Sequence, residues 1–278
     1  MASCEVCFRH CELDEGQTGF CGVRTCRDGR VCPDNYGKIT SLALDPIEKK
    51  PLRRFHPGSM ILSAGSFGCN LRCPFCQNHE ISWGMSRRRI NDDTEYISPE
   101  TLAQTAQYYA DRGNIGVAYT YNEPLIGYEY VRDTARLVHD MGMVNVMVTN
   151  GAAQLWVLEE LTPFIDAMNI DLKGFTDEYY RDLLHGDLRM VRDFIREAVR
   201  KCHVELTTLI IPDENDSEQE MRRMCEWIRE LSPSVPLHIS RFFPRFRMTD
   251  RPATSVRKIY ELADTAREYL EYVYTGNC

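Results

Sequence analysis

Residues 60–78 read MILSAGSFGCNLRCPFCQN, an apolar run at 60–67 that opens into a loop holding Cys69, Cys73 and Cys76. The same form, a β-rich run ending in polar residues, recurs along the chain. IGVAYTY (115–121) leads into YNEP (121–124), VNVMVTN (144–150) into TNG, and DAMNIDLK (166–173) into DLKG (171–174). VELTTLII (204–211) leads into IPDEND, and PLHISRFF (236–243) overlaps HISRFFPRF (238–246). These runs suit strands buried on both faces. Amphipathic segments lie between them, with helix-start signals at Ser98-Pro99 and at Ser217 followed by Glu220. Strand and helix alternating six times predicts parallel βαβ units and an α/β fold, a partial (β/α)6 barrel. The polar motifs fall where such folds keep their chemistry, at the C-terminal ends of strands.

Composition narrows the class. The chain has 278 residues, 43% of them hydrophobic, and a net charge of −8. That length suits one large domain with a small appendage, and the acidic balance gives no footprint for nucleic acid. No apolar run reaches the roughly 20 residues of a membrane helix, and MASCEVCFRHCELDEG lacks a signal-type segment. A cytoplasmic protein without membrane or nucleic-acid partners is expected. Twelve cysteines are many for a reducing compartment, where they serve more often as metal ligands or catalytic thiols than as disulfides. Cys202 and Cys225 read as small buried hydrophobes; the clusters do not.

In the 69–76 loop, C-x3-C-x2-C spacing lets three thiolates point at one centre. A [4Fe–4S] cube takes four, so three leave one iron open. An amino acid could chelate that iron through its amine and carboxylate, with Glu123 accepting from the ammonium and Thr149-Asn150-Gly151 allowing close approach. The alternatives are a zinc site completed by His79 or Cys278, and for Glu123 a capping role at Pro124.

CNLRCPFC resembles the cluster loop of the radical S-adenosylmethionine enzymes, C-x3-C-x-φ-C with Phe75 before the last cysteine. The string DPIEKKPLRRFHPGSMILSAGSFGCNLRCPFCQNHEIS (45–82) is similar to the radical enzyme of the AmmeMemoRadiSam system, related to pyruvate formate-lyase-activating enzymes. The resemblance implies that Cys69, Cys73 and Cys76 bind three irons of a [4Fe–4S] cluster and that S-adenosylmethionine chelates the fourth. It implies that Glu123 holds the cofactor's amino group, Asn150 lies near its methionine part, Asp171 and Lys173 lie at a strand end beside it, and His238 faces the ribose or substrate. Tyr121-Asn122 stand where the family carries glycines, and Val148 where activating enzymes carry an aspartate. A low-potential electron donor of flavodoxin or ferredoxin type is implied as partner. The hydrogen donor stays open between a glycyl-radical enzyme, another protein target and a small molecule; a non-catalytic metal scaffold is the reading from another class.

The organisation expected is a cysteine-rich metal-binding and hairpin segment over 1–58 and a barrel over 59–278. Cys4, Cys7, Cys11 and Cys21 are the expected ligands of a second metal, zinc or iron–sulfur, with Cys26 and Cys32 nearby. Turn signals at Asp28-Gly29 and Tyr36-Gly37 predict hairpin strands. Basic stretches at 48–56, 86–90 and 241–251 read as solvated surface, except that Arg241, Arg245 and Arg247 follow the sixth strand and suit an anionic substrate or acidic tail.

Overall fold

The computed structural model describes residues 1–85, 90 and 92–278. Among these, eight strands form one sheet: β1 (Ser41–Pro46), β2 (Met60–Gly65), β3 (Asn114–Thr120), β4 (Val144–Thr149), β5 (Ala167–Asp171), β6 (His203–Ile210), β7 (Leu237–Arg241) and β8 (Val273–Gly276). Their order across the sheet is their order in the chain. From β2 to β8 every neighbouring pair is parallel, while β1 runs antiparallel to β2. The edge strands β1 and β8 do not pair with each other, so the barrel stays open. All six expected strands are present. β1 and β8 were not expected in this sheet, and β1 lies upstream of residue 59. The Asp28-Gly29 signal yields the hairpin Arg24–Arg27 with Arg30–Pro33, both turn residues having positive φ.

Successive strand residues face opposite sides, and the two sides bury different things. Val117, Met147 and Met168 pack outward with Leu102, Ala135 and Phe194 from the helices. Their chain neighbours Ala118, Val146 and Ala167 pack inward with Ile61, Ile47 and Leu52. The helices that cover the outer face are α1 (Pro99–Tyr108), α2 (Tyr128–Asp140), α3 (Leu155–Leu161), α4 (Leu188–Ala198), α5 (Glu218–Leu231) and α6 (Val256–Arg267). Ser98 caps α1 by accepting the Thr101 N–H at 3.2 Å. Ser217 likewise accepts from Glu220 N–H at 3.2 Å, but the Glu220 carboxylate goes elsewhere and accepts from Phe175 N–H at 2.6 Å. Among the described residues no helix is long and apolar enough to cross a membrane.

Residues 47–56 form a strap across the inner face. Asn169 on β5 donates to Pro51 O at 2.9 Å. Glu205 on β6 accepts from Arg53 and Arg54 N–H at 3.0 and 2.7 Å, and from His238 Nε2 at 2.6 Å. Within this basic stretch Lys50 is not solvated surface. It is 2% exposed, because Asp45 Oδ2 lies 2.9 Å from its ammonium and relieves the cost of burying the charge. Of the stretch 86–90, all but Ile90 lies outside the described residues.

Burial opposes ionisation of Glu205, yet two imidazoles and two amide N–H groups outweigh it and hold the carboxyl at about 2, below its ordinary 4.5. A depressed acid stabilises the fold fully above the unfolded value and loses that contribution as pH falls through the folded one. Between pH 4.5 and 2 the loss should reach about 2–3 kcal/mol, at roughly 1.4 kcal/mol per unit. Urea titrations of wild type and Glu205→Gln at stepped pH check this. The variant should be less stable at pH 7 and show a flatter acid limb, and parallel limbs would contradict the assignment.

Candidate functional site

The cysteine loop leaves β2 at the sheet's C-terminal rim and is fixed from two neighbouring strand ends. Asn122, just past β3, accepts the Ser66 N–H at 2.9 Å and donates to Phe67 O at 3.0 Å. Glu123 N–H donates to Gly68 O at 3.2 Å, and Asn78 donates to Tyr121 O at 2.7 Å. Tyr121 itself sits at φ +72°, a left-handed conformation uncommon outside glycine. Its hydroxyl, which donates to Asp45 at 2.8 Å, and the Asn78 contact hold it there. On the other side, Cys69 N–H donates to Cys21 O at 3.2 Å, so the loop also leans on the N-terminal segment.

The three thiols share this loop. Cys76 N–H closes a tight turn onto Cys73 O at 3.1 Å. Cys69 Sγ accepts from Leu71 N–H at 3.4 Å and lies 3.7 Å from Asn150 Nδ2, at the end of β4. Asn150 also donates to Asn70 Oδ1 at 2.9 Å, and Asn70 to Ala152 O at 2.7 Å, tying the thiol loop to the third strand end. Burial pushes all three thiols up, Cys73 to about 12, and neighbouring thiols add to the rise at Cys69 and Cys73. Such thiols ionise when a metal supplies the compensating charge. The Lys173 ammonium pulls Cys73 the other way.

This donor set fits a [4Fe–4S] cube with one corner left to another ligand. Three cysteines come from one short loop, hydrogen-bond donors face Cys69 Sγ, and Lys173 counters the anionic charge. Among the described residues no three His, Cys, Asp or Glu side chains gather closely enough to cage a single ion. A cube makes a different demand, since each thiolate takes its own iron.

Glu123 is 3% exposed and accepts three hydrogen bonds: Thr149 Oγ1 at 2.6 Å, Asn150 N–H at 2.8 Å and Leu125 N–H at 3.0 Å. Burial raises its carboxyl to about 7, with these donors pulling it back. It therefore caps the turn Pro124–Gly127 and fastens the β3 end to the β4 end. Asp171 and Lys173 form a pair at 2.6 Å where β5 ends, and the Lys173 N–H donates to Tyr180 OH. His238 lies apart from this group. It faces inward near the start of β7, bonded to Glu205 and stacked on Tyr274 at 5.1 Å. The loop after β7 does reach the cysteines. Arg247 N–H donates to Pro74 O at 2.9 Å, and Phe246 stacks on His79 at 4.0 Å. Arg241 turns away, donating to Thr254 O at 2.6 Å. Asn70 was missed by sequence reasoning, and Asn122 and Thr149 were noted only as parts of the YNEP and TNG motifs. Isolated polar residues in loops carry no periodic signal, and only their position beside cysteines or strand ends could have drawn notice.

Comparison with known proteins gives the family and the fold. Residues 65–225 match the family model described as the Radical SAM superfamily. "Uncharacterized protein MJ0808" of Methanocaldococcus jannaschii is 39% identical over 99% of this chain and 80% of its own length. The pyruvate formate-lyase-activating enzyme of Clostridium pasteurianum is 26% identical over 73% of this chain and 89% of its length. Among solved structures, Streptococcus suis SuiB bound to S-adenosylmethionine shares the fold at a TM-score of 0.59 and 12% identity, over 76% of this chain and 48% of that one.

Proposed function

This chain belongs to the radical SAM superfamily, and on that premise we propose that Cys69, Cys73 and Cys76 hold its [4Fe–4S] cluster for reductive cleavage of S-adenosylmethionine. The observation that carries the assignment is the meeting of the three-thiol loop with the β3 and β4 ends, where Cys69 Sγ lies 3.7 Å from Asn150. When bound, cluster and cofactor together supply a 5′-deoxyadenosyl radical able to take hydrogen from an unactivated C–H.

The chain's own residues hold, orient and shield. Glu123 has three donors on its carboxylate, which can accept about four. One further acceptor position can thus meet the cofactor's ammonium, and Asn150 sits beside it. Asp171 and Lys173, at the next strand end, supply a fixed charge pair beside the same cofactor. The strap over 47–56 covers the inner face below and keeps water from the reacting region. A low-potential donor of flavodoxin or ferredoxin type delivers the electron. The relatives named as a pyruvate formate-lyase-activating enzyme and as a putative glycyl-radical enzyme activating enzyme favour a glycine of a partner protein as hydrogen donor.

Anaerobic protein, reconstituted with iron and sulfide and given dithionite and S-adenosylmethionine, should release 5′-deoxyadenosine. No product above a protein-free control would defeat the assignment. Deuterium transfer from a glycine-labelled partner into 5′-deoxyadenosine tests the substrate reading separately.

A further inference from the structure

Six cysteines precede residue 33, and the fold sorts them. Cys4, Cys7, Cys11 and Cys21 line one recess together with Val6, Gly19 and Ile126. Cys26 and Cys32 are not among its lining residues. Cys26 is buried in the hairpin with its thiol toward Glu15, and Cys32 is exposed. The recess is shaped by backbone contacts that draw distant thiols together. Cys4 N–H donates to Cys11 O at 3.0 Å, and Arg24 N–H donates to Cys21 Sγ at 3.4 Å. Gly19 leaves room beside Cys11, whose Sγ would lie 3.3 Å from any Cβ placed there.

The segment has little regular structure of its own and leans on the barrel, where Val6 O accepts the Gln154 N–H at 2.9 Å and Arg24 pairs with Glu129 at 2.6 Å. Its first pairing, Ala2–Ser3 with Glu12–Leu13, is two residues long on each side. Segments this small ordinarily need a metal or disulfides to order them, and all twelve cysteines are free thiols. Four thiols around one void are the donor set of an iron–sulfur cube, in which each thiolate takes its own iron, whereas no three such side chains among the described residues gather closely enough to cage a single ion such as zinc. Buried cysteines acting as small hydrophobes would not need to converge.

The recess also abuts the loop described above. Asn70 lines it, and Cys21 O accepts the Cys69 N–H at 3.2 Å. Phe20 lies between two guanidinium groups, Arg9 at 3.4 Å and Arg72 at 4.1 Å from its ring, joining the segment to the 69–76 loop.

We infer that Cys4, Cys7, Cys11 and Cys21 bind a second metal centre through four thiolates, without Cys26 or Cys32, and that it fastens the N-terminal segment against the first cysteine loop.

The test separates the two sites. A full-length C69A/C73A/C76A chain, purified anaerobically with and without iron and sulfide, is analysed for zinc, iron and sulfide. After reconstitution it should hold about four irons with sulfide. The reconstituted chain should also show the broad visible thiolate- and sulfide-to-iron charge-transfer absorption of a cluster. Adding C7A and C21A should abolish both signals, whereas adding C26A and C32A should leave them unchanged. A folded C69A/C73A/C76A chain (checked by circular dichroism) that takes up no iron and sulfide, or that holds zinc in their place, would overturn the inference. Loss of metal on changing Cys26 and Cys32 would do the same. Because these chains lack Cys69, Cys73 and Cys76, the outcome is independent of whether the wild type cleaves S-adenosylmethionine.

Discussion

Changing any one of Cys69, Cys73 or Cys76 to alanine should lower 5′-deoxyadenosine formation by on the order of 10³-fold or more, about 4 kcal/mol in barrier terms. The loss is large because the three positions have no spare. Each thiolate takes a separate iron, and the cysteines that abut the loop, Cys4, Cys7, Cys11 and Cys21, are taken up by a recess of their own. The loop is anchored independently of the thiols, by Asn122, Glu123 and Cys21 O, so each variant should keep its fold. Circular dichroism should therefore match wild type while the iron content and visible absorption of the cluster fall. Cys278→Ala, at an exposed position, serves as control and should retain full yield. A single triad variant with wild-type yield would remove that thiol from the ligand set.

Gly68→Ala should be the most damaging single methyl group in the loop. The residue has φ +88°, and a Cβ there would lie 2.3 Å from Val23 Cγ2, 2.7 Å from Cys21 O and 3.0 Å from Ile126 Cδ1. Left-handed backbone costs a non-glycine residue about 1–2 kcal/mol and overpacking about 1–3 kcal/mol, a combined loss of about 2–5 kcal/mol. Domains of this kind have about 5–15 kcal/mol in total. Gly142→Ala separates the two costs, since φ is +72° there and nothing lies within 4 Å of the new Cβ. Urea unfolding should show Gly142→Ala losing only the backbone share. Gly68→Ala should lose clearly more, and lose cluster iron with it, because the clash falls on the segment that carries Cys69. Equal losses in the two variants would show that the neighbours of Gly68 give way freely.

The six barrel strands were legible because each is an apolar run closed by a polar motif, a pattern set by burial on both faces. The edges were not. SLALDP is half exposed and read as a hairpin continuation, and VYTG is too short to stand out. Of the rim residues, the cysteines announce their chemistry by type and spacing. Glu123 does not, because one carboxylate before a proline serves equally as cap or ligand contact, and the fold gives it the cap together with the Thr149 and Asn150 bonds. His238 shows the limit of strand-end reasoning. It faces the interior, but its position near the start of β7 and its bond to Glu205 set it below the rim. Lys50 was hidden for the opposite reason, since a basic run gives no hint that one lysine in it is buried against Asp45.

Because each strand of the sheet lies beside its immediate predecessor in the chain, the half-barrel can grow vectorially during synthesis. Every emerging βα unit meets a finished edge, and no strand has to wait for a distant partner. The antiparallel β1–β2 pair, made before the other strands of this sheet, offers the seed on which they are laid down.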